Sequence, residues 1–264
     1  MRPLAAFSPE SLASIRGVLF DIDDTITTDG RLTADAFAAV EALKNAGLIV
    51  VPITGRPAGW CDHIARMWPV DGVVGENGAF YFFFDHASRK LGQRFVKAAA
   101  EREADRGRLT QVAQRILHEV PGSALASDQR YREADIAIDF CEDVPALPRE
   151  AVHRIKAIME AEGLTAKVSS IHVNGWFGGY DKLSTTKLFV AERLGLDLGR
   201  QKTDFVFVGD SPNDEPMFAY FPHSIGVANV GRFLDQIVNR PAYVTEASSG
   251  AGFAEFARLL LDAR

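Results

Sequence analysis

Cysteine is nearly missing from this sequence: Cys61 and Cys141 are its two examples. A disulfide framework is therefore excluded as the main stabilising device, and a reducing compartment, the cytoplasm, is the expected location. Cys61 lies close to His63, but no second Cys/His pair has matching spacing. Both read as helix residues rather than as a soft-metal site. No stretch approaches the roughly 18 uninterrupted apolar residues of a membrane-spanning helix. The N-terminus lacks a long apolar run and meets Pro9 and Glu10 early, so it does not read as a secretory signal. No membrane association is expected. A basic stripe is also lacking, the net charge is −6, and nucleic acid is not an expected partner. Repeats and low-complexity linkers are absent. An acidic protein can still bind phosphate, but through local means: a metal ion, a few Lys or Arg, and backbone N–H groups.

What is present is a chain of 264 residues with 47% hydrophobic content, enough for a substantial core. Gly17 to Asp23 opens with an apolar run lacking alternation, which fits a strand buried on both faces. Thr33 can cap a following helix, with Ala36, Phe37, Val40 and Leu43 at helical spacing and Gly47 as its stop. Leu48 to Ile53 reads as a second strand. A helix over roughly 57–67 and a third strand at Gly72 to Gly75 follow. The same grammar returns near the C-terminus. Ser184 is the expected cap of a helix ending at Gly195. Phe205 to Asp210 reads as a buried strand, with short strands near Ile225 and Tyr243 and a helix over roughly 250–263. Strand–helix alternation of this kind implies an α/β fold with a mainly parallel, doubly wound sheet.

Between these halves the texture changes. Phe80 to Phe84 is an aromatic strand. A charged, Ala-rich stretch over 97–108 precedes a helix over about 108–119. Ala134 to Phe140 alternates like a strand with one wet face. A helix over 149–162 and an alternating strand near Ala166 to Val173 complete the segment. The expected layout is a core formed by 1–84 and 179–264, with an α+β cap over 85–178 inserted between them.

Ligands of open α/β sheets bind at the carboxyl ends of strands. Asp21-Ile22-Asp23-Asp24-Thr25 stands at such an end, and residues i and i+2 of a strand point the same way. Asp21 and Asp23 would project together, and two adjacent ionised carboxylates require a cation. Mg²⁺, a hard ion with oxygen ligands, meets that need and also neutralises phosphate charge. Thr54-Gly55-Arg56 closes the second strand and offers a hydroxyl, a close backbone approach and a guanidinium fork. Lys182 lies just before the expected cap, near enough for a phosphate at a helix N-terminus, whereas Lys187 would sit as a solvated charge. Gly209-Asp210-Ser211-Pro212-Asn213-Asp214 follows another buried strand. Asp210 is a third candidate metal carboxylate, supported by Asn213 and Asp214.

This order of motifs resembles the haloacid dehalogenase superfamily. Asp21 to Thr25 matches its first motif, Thr54 its second, Lys182 its third and Gly209 to Asp214 its fourth. Glu76-Asn77-Gly78-Ala79 and the large cap resemble the IIB, or Cof-type, branch, which includes sugar-phosphate phosphatases and phosphomannomutases. The sequence departs from the pattern at Asp24, where many members carry Gly, and at Asp181-Lys182-Leu183, which lacks a common Lys-Gly pair and so keeps Lys187 as a second candidate for the third-motif lysine. The resemblance implies a Mg²⁺-dependent phosphatase acting on a small phosphate ester, a sugar phosphate by analogy. It implies Asp21 as nucleophile and Asp23 as general acid and base. Thr54 and Lys182 would stabilise phosphoryl charge. The metal would be held by Asp21, Asp210 and the backbone carbonyl of Asp23.

Arg56, Glu76 and Asn77 are expected to face the cleft. Gly55, Arg56, Asn77, His172 and Asn174 are the candidate substrate contacts. Trp176 is either a sugar-stacking surface or a core residue. Nothing in the catalytic residues separates a phosphatase from a phosphomutase, and a non-catalytic binding protein on the same fold remains the contrasting possibility. Oligomeric state has no sequence signal.

Overall fold

The structure, a computed structural model, describes residues 1–264. A six-stranded sheet crosses its centre in the order Arg2–Pro3, Tyr243–Val244, Ser224–Gly226, Phe205–Gly209, Gly17–Phe20, Ile49–Pro52. All five neighbouring pairs are parallel. Val18, Phe20, Val206 and Val208 belong to one buried cluster, whereas Leu19, Phe205 and Phe207 belong to another. Successive strand residues point to opposite faces. Each central strand is thus covered by apolar side chains on both sides, which explains its unbroken apolar sequence.

The helix Ala34–Asn45 begins where Thr33 Oγ1 accepts the Ala36 N–H. Gly47, at φ +80°, supplies the left-handed residue after its end. The helix over Lys182–Leu194 differs from expectation at its start. Asp181, not Ser184, is the cap: its Oδ1 accepts the Ser184 N–H at 2.7 Å, while Ser184 Oγ accepts the Asp181 N–H at 2.9 Å. A carboxylate outcompetes a hydroxyl for the positive helix end. Lys182 becomes the first residue of the helix rather than part of its entry loop.

A second sheet has the order Thr165–Val168, His172–Trp176, Asp135–Asp139, Ala124–Leu125, with every pairing antiparallel. It packs against the helices Ala99–Glu119 and Arg149–Ala161 through Leu109, Ile116, Ile136, Ile138, Ile155 and Val173. Three expectations change here. The Ala-rich stretch and the following helix form one element, Ala99–Glu119. The single strand expected near Ala166 to Val173 is two strands of a hairpin, because the chain turns between Val168 and His172. Asp135–Asp139 has no wet face, since all of it is buried. Alternation misled because Asp135 and Asp139 meet partners inside the protein. Arg132 binds Asp135, and Asp139 accepts N–H groups from Cys141, Glu142 and Asp143.

A third, antiparallel sheet joins Val73–Gly75, Phe80–Asp85 and Lys90–Phe95. A parallel bridge between Ile53 and Val74 links it to the central sheet. No helix is long and apolar enough to cross a membrane.

Candidate active site

Asp21 and Asp210 emerge side by side because Gly17–Phe20 and Phe205–Gly209 are adjacent parallel strands. The Asp21 N–H still donates to the Val208 carbonyl at 2.9 Å. Asp214 reaches the same place from the turn after Asp210. Carboxylate oxygens of Asp21, Asp210 and Asp214 lie within 4.8 Å of one another, and all three residues are buried. Lys182 Nζ enters from across the site, 2.9 Å from Asp21 Oδ1 and 2.8 Å from Asp214 Oδ1. Lys187 points elsewhere, with its ammonium 4.0 Å from the ring centre of Tyr220.

One ammonium cannot balance three buried carboxylates. Burial pushes the Asp21 carboxyl well above its ordinary value, and Asp214 and Asp23 push it further, against the pull of Lys182. Burial does the same to Asp210, assisted by Asp21 and Asp214. Burial works against the charged Lys182, yet Asp21 and Asp214 hold its ammonium above its usual range. All-oxygen donors with two excess negative charges suit a hard divalent cation. The residues therefore fit Mg²⁺.

The carboxylate cluster is wider than Asp21 and Asp210 alone. Asp214 joins it through a side chain whose other oxygen accepts the Asp210 N–H at 3.0 Å. The Asp23 side chain pairs with Arg56, whose Nε lies 2.9 and 3.1 Å from its two oxygens. The strand ends at Phe20, so the two-residue periodicity does not carry through Asp23. Asp24 adopts φ +56°, a left-handed conformation that explains why Gly suits this position in the resembled family.

Two further partners of Asp210 carried no expectation from the sequence. Thr25 Oγ1 donates to its Oδ1 at 3.2 Å, and Asn229 Nδ2 to its Oδ2 at 3.3 Å. Asn229 also donates to the Asp24 carbonyl at 3.0 Å, tying two strand-end loops together. A signal for it was available: it follows Ser224–Gly226 at the carboxyl end of that strand. Asn213 Oδ1 accepts from Ser211 Oγ at 2.9 Å and thereby shapes the turn.

Thr54 Oγ1 accepts the Arg56 N–H at 3.0 Å, which aims the strand end into the site. Gly55 gives its carbonyl to Arg132 Nη1 at 2.9 Å. Glu76 does not aim its carboxylate at the cleft. It accepts N–H groups from Ala58, Glu133 and Ala134 at 3.0, 2.9 and 2.7 Å, joining a helix start to the segment beyond Arg132. Glu76 and Asn77 occupy consecutive left-handed conformations, φ +44° and +53°. Their N–H groups bond the carbonyls of Arg56 and Thr54, which keeps this costly backbone in place. Asn77 is buried, yet neither its Nδ2 nor its Oδ1 has a hydrogen-bond partner.

The remaining candidates lie in a charged seam between the sheets. Arg56 Nη2 lies 2.6 Å from Glu142 Oε1, and Nη1 lies 3.3 Å from Asp128 Oδ2. Arg132 binds Asp128 and Asp135. His172 Nε2 lies 2.9 Å from Glu142 Oε2, although off the alignment of a hydrogen bond. Asn174 Nδ2 donates to Asp135 at 3.0 Å, away from the carboxylate cluster. Trp176 is a core residue, fully buried, with its Nε1 donating to the Tyr180 carbonyl at 3.1 Å. Asp128, Arg132 and Glu142 carried no sequence signal, because only the folded chain brings Asp128 and Glu142 to Arg56 and Arg132 to the Gly55 carbonyl.

Residues 18–100 match a family model described as haloacid dehalogenase-like hydrolase. Phosphoglycolate phosphatase of Halorubrum lacusprofundi is 30% identical over 221 residues, covering 79% of this chain and 82% of that protein. The chain belongs to the haloacid dehalogenase-like hydrolases. Phosphoglycolate phosphatase of Methanospirillum hungatei is 26% identical and spans 93% of this chain and 96% of its own length. Among solved structures, a Thermoplasma acidophilum protein superposes with TM-score 0.70 at 19% identity, covering 95% of this chain and 99% of its own. Sucrose-phosphatase from Synechocystis sp., solved with sucrose and phosphate, gives TM-score 0.61 at 14% identity, with 93% and 98% covered. These likenesses show the fold. With phosphatase relatives along nearly its full length, this hydrolase acts on phosphoric monoesters.

Proposed function

We propose that this hydrolase cleaves a small phosphate monoester, a sugar or polyol phosphate, through an aspartyl-phosphate on Asp21. The Lys182 bridge between Asp21 and Asp214, beside Asp210 at the sheet edge, carries this reading. Asp21 attacks phosphorus in line, so a new O–P bond forms as the ester O–P bond breaks. Asp23 gives the leaving oxygen its proton and later takes one from the attacking water, whose oxygen releases phosphate and regenerates the Asp21 carboxylate. Arg56 fixes the orientation of the Asp23 carboxyl by contacts to both of its oxygens. Lys182 and the Thr54 hydroxyl balance charge on the non-bridging oxygens, the positioning and electrostatic logic of phosphoryl transfer. The unpartnered Asn77 amide supports a role in binding the ester, because a ligand would satisfy it.

Asp21, Asp210 and Asp214 would hold Mg²⁺. When bound, it supplies positive charge that keeps Asp21 ionised and lowers the repulsion between carboxylate and phosphate.

The proposed division is a core of 1–84 and 179–264 and a cap of 85–178. Separate apolar clusters support a distinct cap over Leu109 to Phe177, whereas Lys90–Phe95 pairs with Phe80–Asp85 and packs Leu91 and Phe95 against a core cluster. Burial of Asp21, Asp210 and Lys182 supports a cap that opens for substrate and closes over it.

The test is turnover of a phosphate-ester panel with and without chelator. Phosphate release should vanish in EDTA and return with Mg²⁺, and acid-quenched enzyme should carry one acid-stable, hydroxylamine-labile phosphate on Asp21. Metal-independent turnover, or a label on another residue, would reject the mechanism.

A further inference from the structure

The leaving group of a phosphate ester must sit next to the group that protonates its oxygen. Resting on the mechanism above, that place is taken to lie beside Asp23, whose carboxylate Arg56 links to Glu142 and Asp128. Arg56 Nη2 contacts both Asp23 Oδ1 at 2.9 Å and Glu142 Oε1 at 2.6 Å, so the two carboxylates share one nitrogen. Arg56 is a tempting receptor for a substrate carboxylate, but its fork is already filled. Nε and Nη2 hold Asp23, Nη1 and Nη2 hold Glu142, and Nη1 also contacts Asp128. Its open face is covered by Trp60, whose ring centre is 4.4 Å from the guanidinium carbon. The neighbouring Arg132 is likewise committed to Asp128 and Asp135. Two guanidiniums thus serve four carboxylates.

We propose that Glu142 is a charge-selecting residue that makes the enzyme reject esters whose leaving group carries a carboxylate or a second phosphate, and accept hydroxylated or cationic ones. A carboxylate placed beside Asp23 would meet Glu142 with no uncommitted cation between them. Like charges brought together in a partly buried site strongly disfavour the wrong partner. Burial works to raise the Glu142 carboxyl, but the His172 contact and Arg56 bring it down to about 2, so it stays charged at neutral pH. Arg232, whose charge is felt at Asp24, is exposed and forms no ion pair with Glu142 or Asp128. A leaving group rich in hydroxyls can instead donate to Glu142 and to the free Asn77 oxygen. Rejection of anionic leaving groups would separate this chain from the relatives named for phosphoglycolate.

The experiment compares three esters that share a two-carbon skeleton: 2-phosphoglycolate, 2-hydroxyethyl phosphate and 2-aminoethyl phosphate. Wild-type kcat/KM should rise in that order, with the neutral ester favoured over phosphoglycolate by about tenfold or more. Glu142→Gln, which keeps size and one of the two acceptor oxygens facing Arg56, should narrow that ratio at least about fivefold, mainly through a lower KM for phosphoglycolate. Equal or better use of phosphoglycolate by the wild type would overturn the proposal, as would an unchanged ratio in Glu142→Gln. The wild-type series needs no variant and stands even if Glu142→Gln fails to fold. Turnover of p-nitrophenyl phosphate, measured alongside, separates the two readings. Its absence rejects the phosphatase mechanism itself, whereas its presence with a reversed ester series rejects only the role of Glu142.

Discussion

Asp21→Asn should destroy turnover and yet make the metal-free protein more stable. Three buried carboxylates share one buried ammonium at this site. Burial raises the folded-state pKa of Asp21 above its ordinary value near 3.9. Between those two values the folded protein binds more protons than the unfolded chain. Stability is then full at low pH and falls as pH rises through the folded pKa, the reverse of a salt-bridged surface aspartate. Holding a carboxylate ionised where its proton is bound tenfold more tightly costs about 1.4 kcal/mol. Relaxation and the contact with Lys182 offset much of the burial penalty, which leaves a cost of roughly 1–3 kcal/mol at neutral pH. Asn keeps the oxygen that accepts from Lys182 and loses the charge. Lys182 retains Asp214, so no ammonium is orphaned. Urea denaturation in EDTA at pH 7.5 should therefore show Asp21→Asn more stable by that margin, with the gap closing near pH 4. Added Mg²⁺ should stabilise the wild type more than the variant, because the ion has lost a ligand. Turnover of p-nitrophenyl phosphate should fall on the order of 10³-fold or more, as expected when a covalent nucleophile is deleted. A less stable metal-free variant would refute the electrostatic reasoning. Near-full turnover would refute Asp21 as nucleophile.

Asp23→Ala should slow alkyl phosphates far more than p-nitrophenyl phosphate, whose leaving group needs little protonation; equal slowing in steady-state assays would contradict the general-acid role. Gly78→Ala should be poorly tolerated, since Gly78 has φ +107° and an added Cβ would stand 2.1 Å from the Asp181 carbonyl oxygen. That clash would displace the start of the helix bearing Lys182, and we expect a loss of roughly 1–3 kcal/mol in urea denaturation together with reduced kcat. Wild-type stability and kcat in Gly78→Ala would show that this close approach is unimportant.

Much of the architecture could be read from short-range pattern. Gly17–Phe20 and Phe205–Gly209 are apolar on both faces, and their sequences contain no alternation to suggest otherwise. Thr33 and Gly47 bracket a helix by local backbone chemistry alone. Asp21 and Asp210 could be brought together on paper because the carboxyl ends of parallel strands share one edge. Where local pattern failed, partners buried with the residue had taken the place of solvent. Asp135 looked like a solvent-facing residue until Arg132 and Asn174 supplied its buried partners.

The sequence by itself determined the α/β grammar and the strand-end carboxylates, since each depends on neighbours a few residues away, whereas the choice between Lys182 and Lys187 fell to the fold. Tertiary structure alone decided which carboxylates share Lys182, and that Arg56 would be claimed by Glu142 86 positions further along. An ion pair in water is worth little, so sequence spacing cannot select it. Burial removes the solvent that would otherwise compete, and that environment exists only after the two parts of the chain have packed.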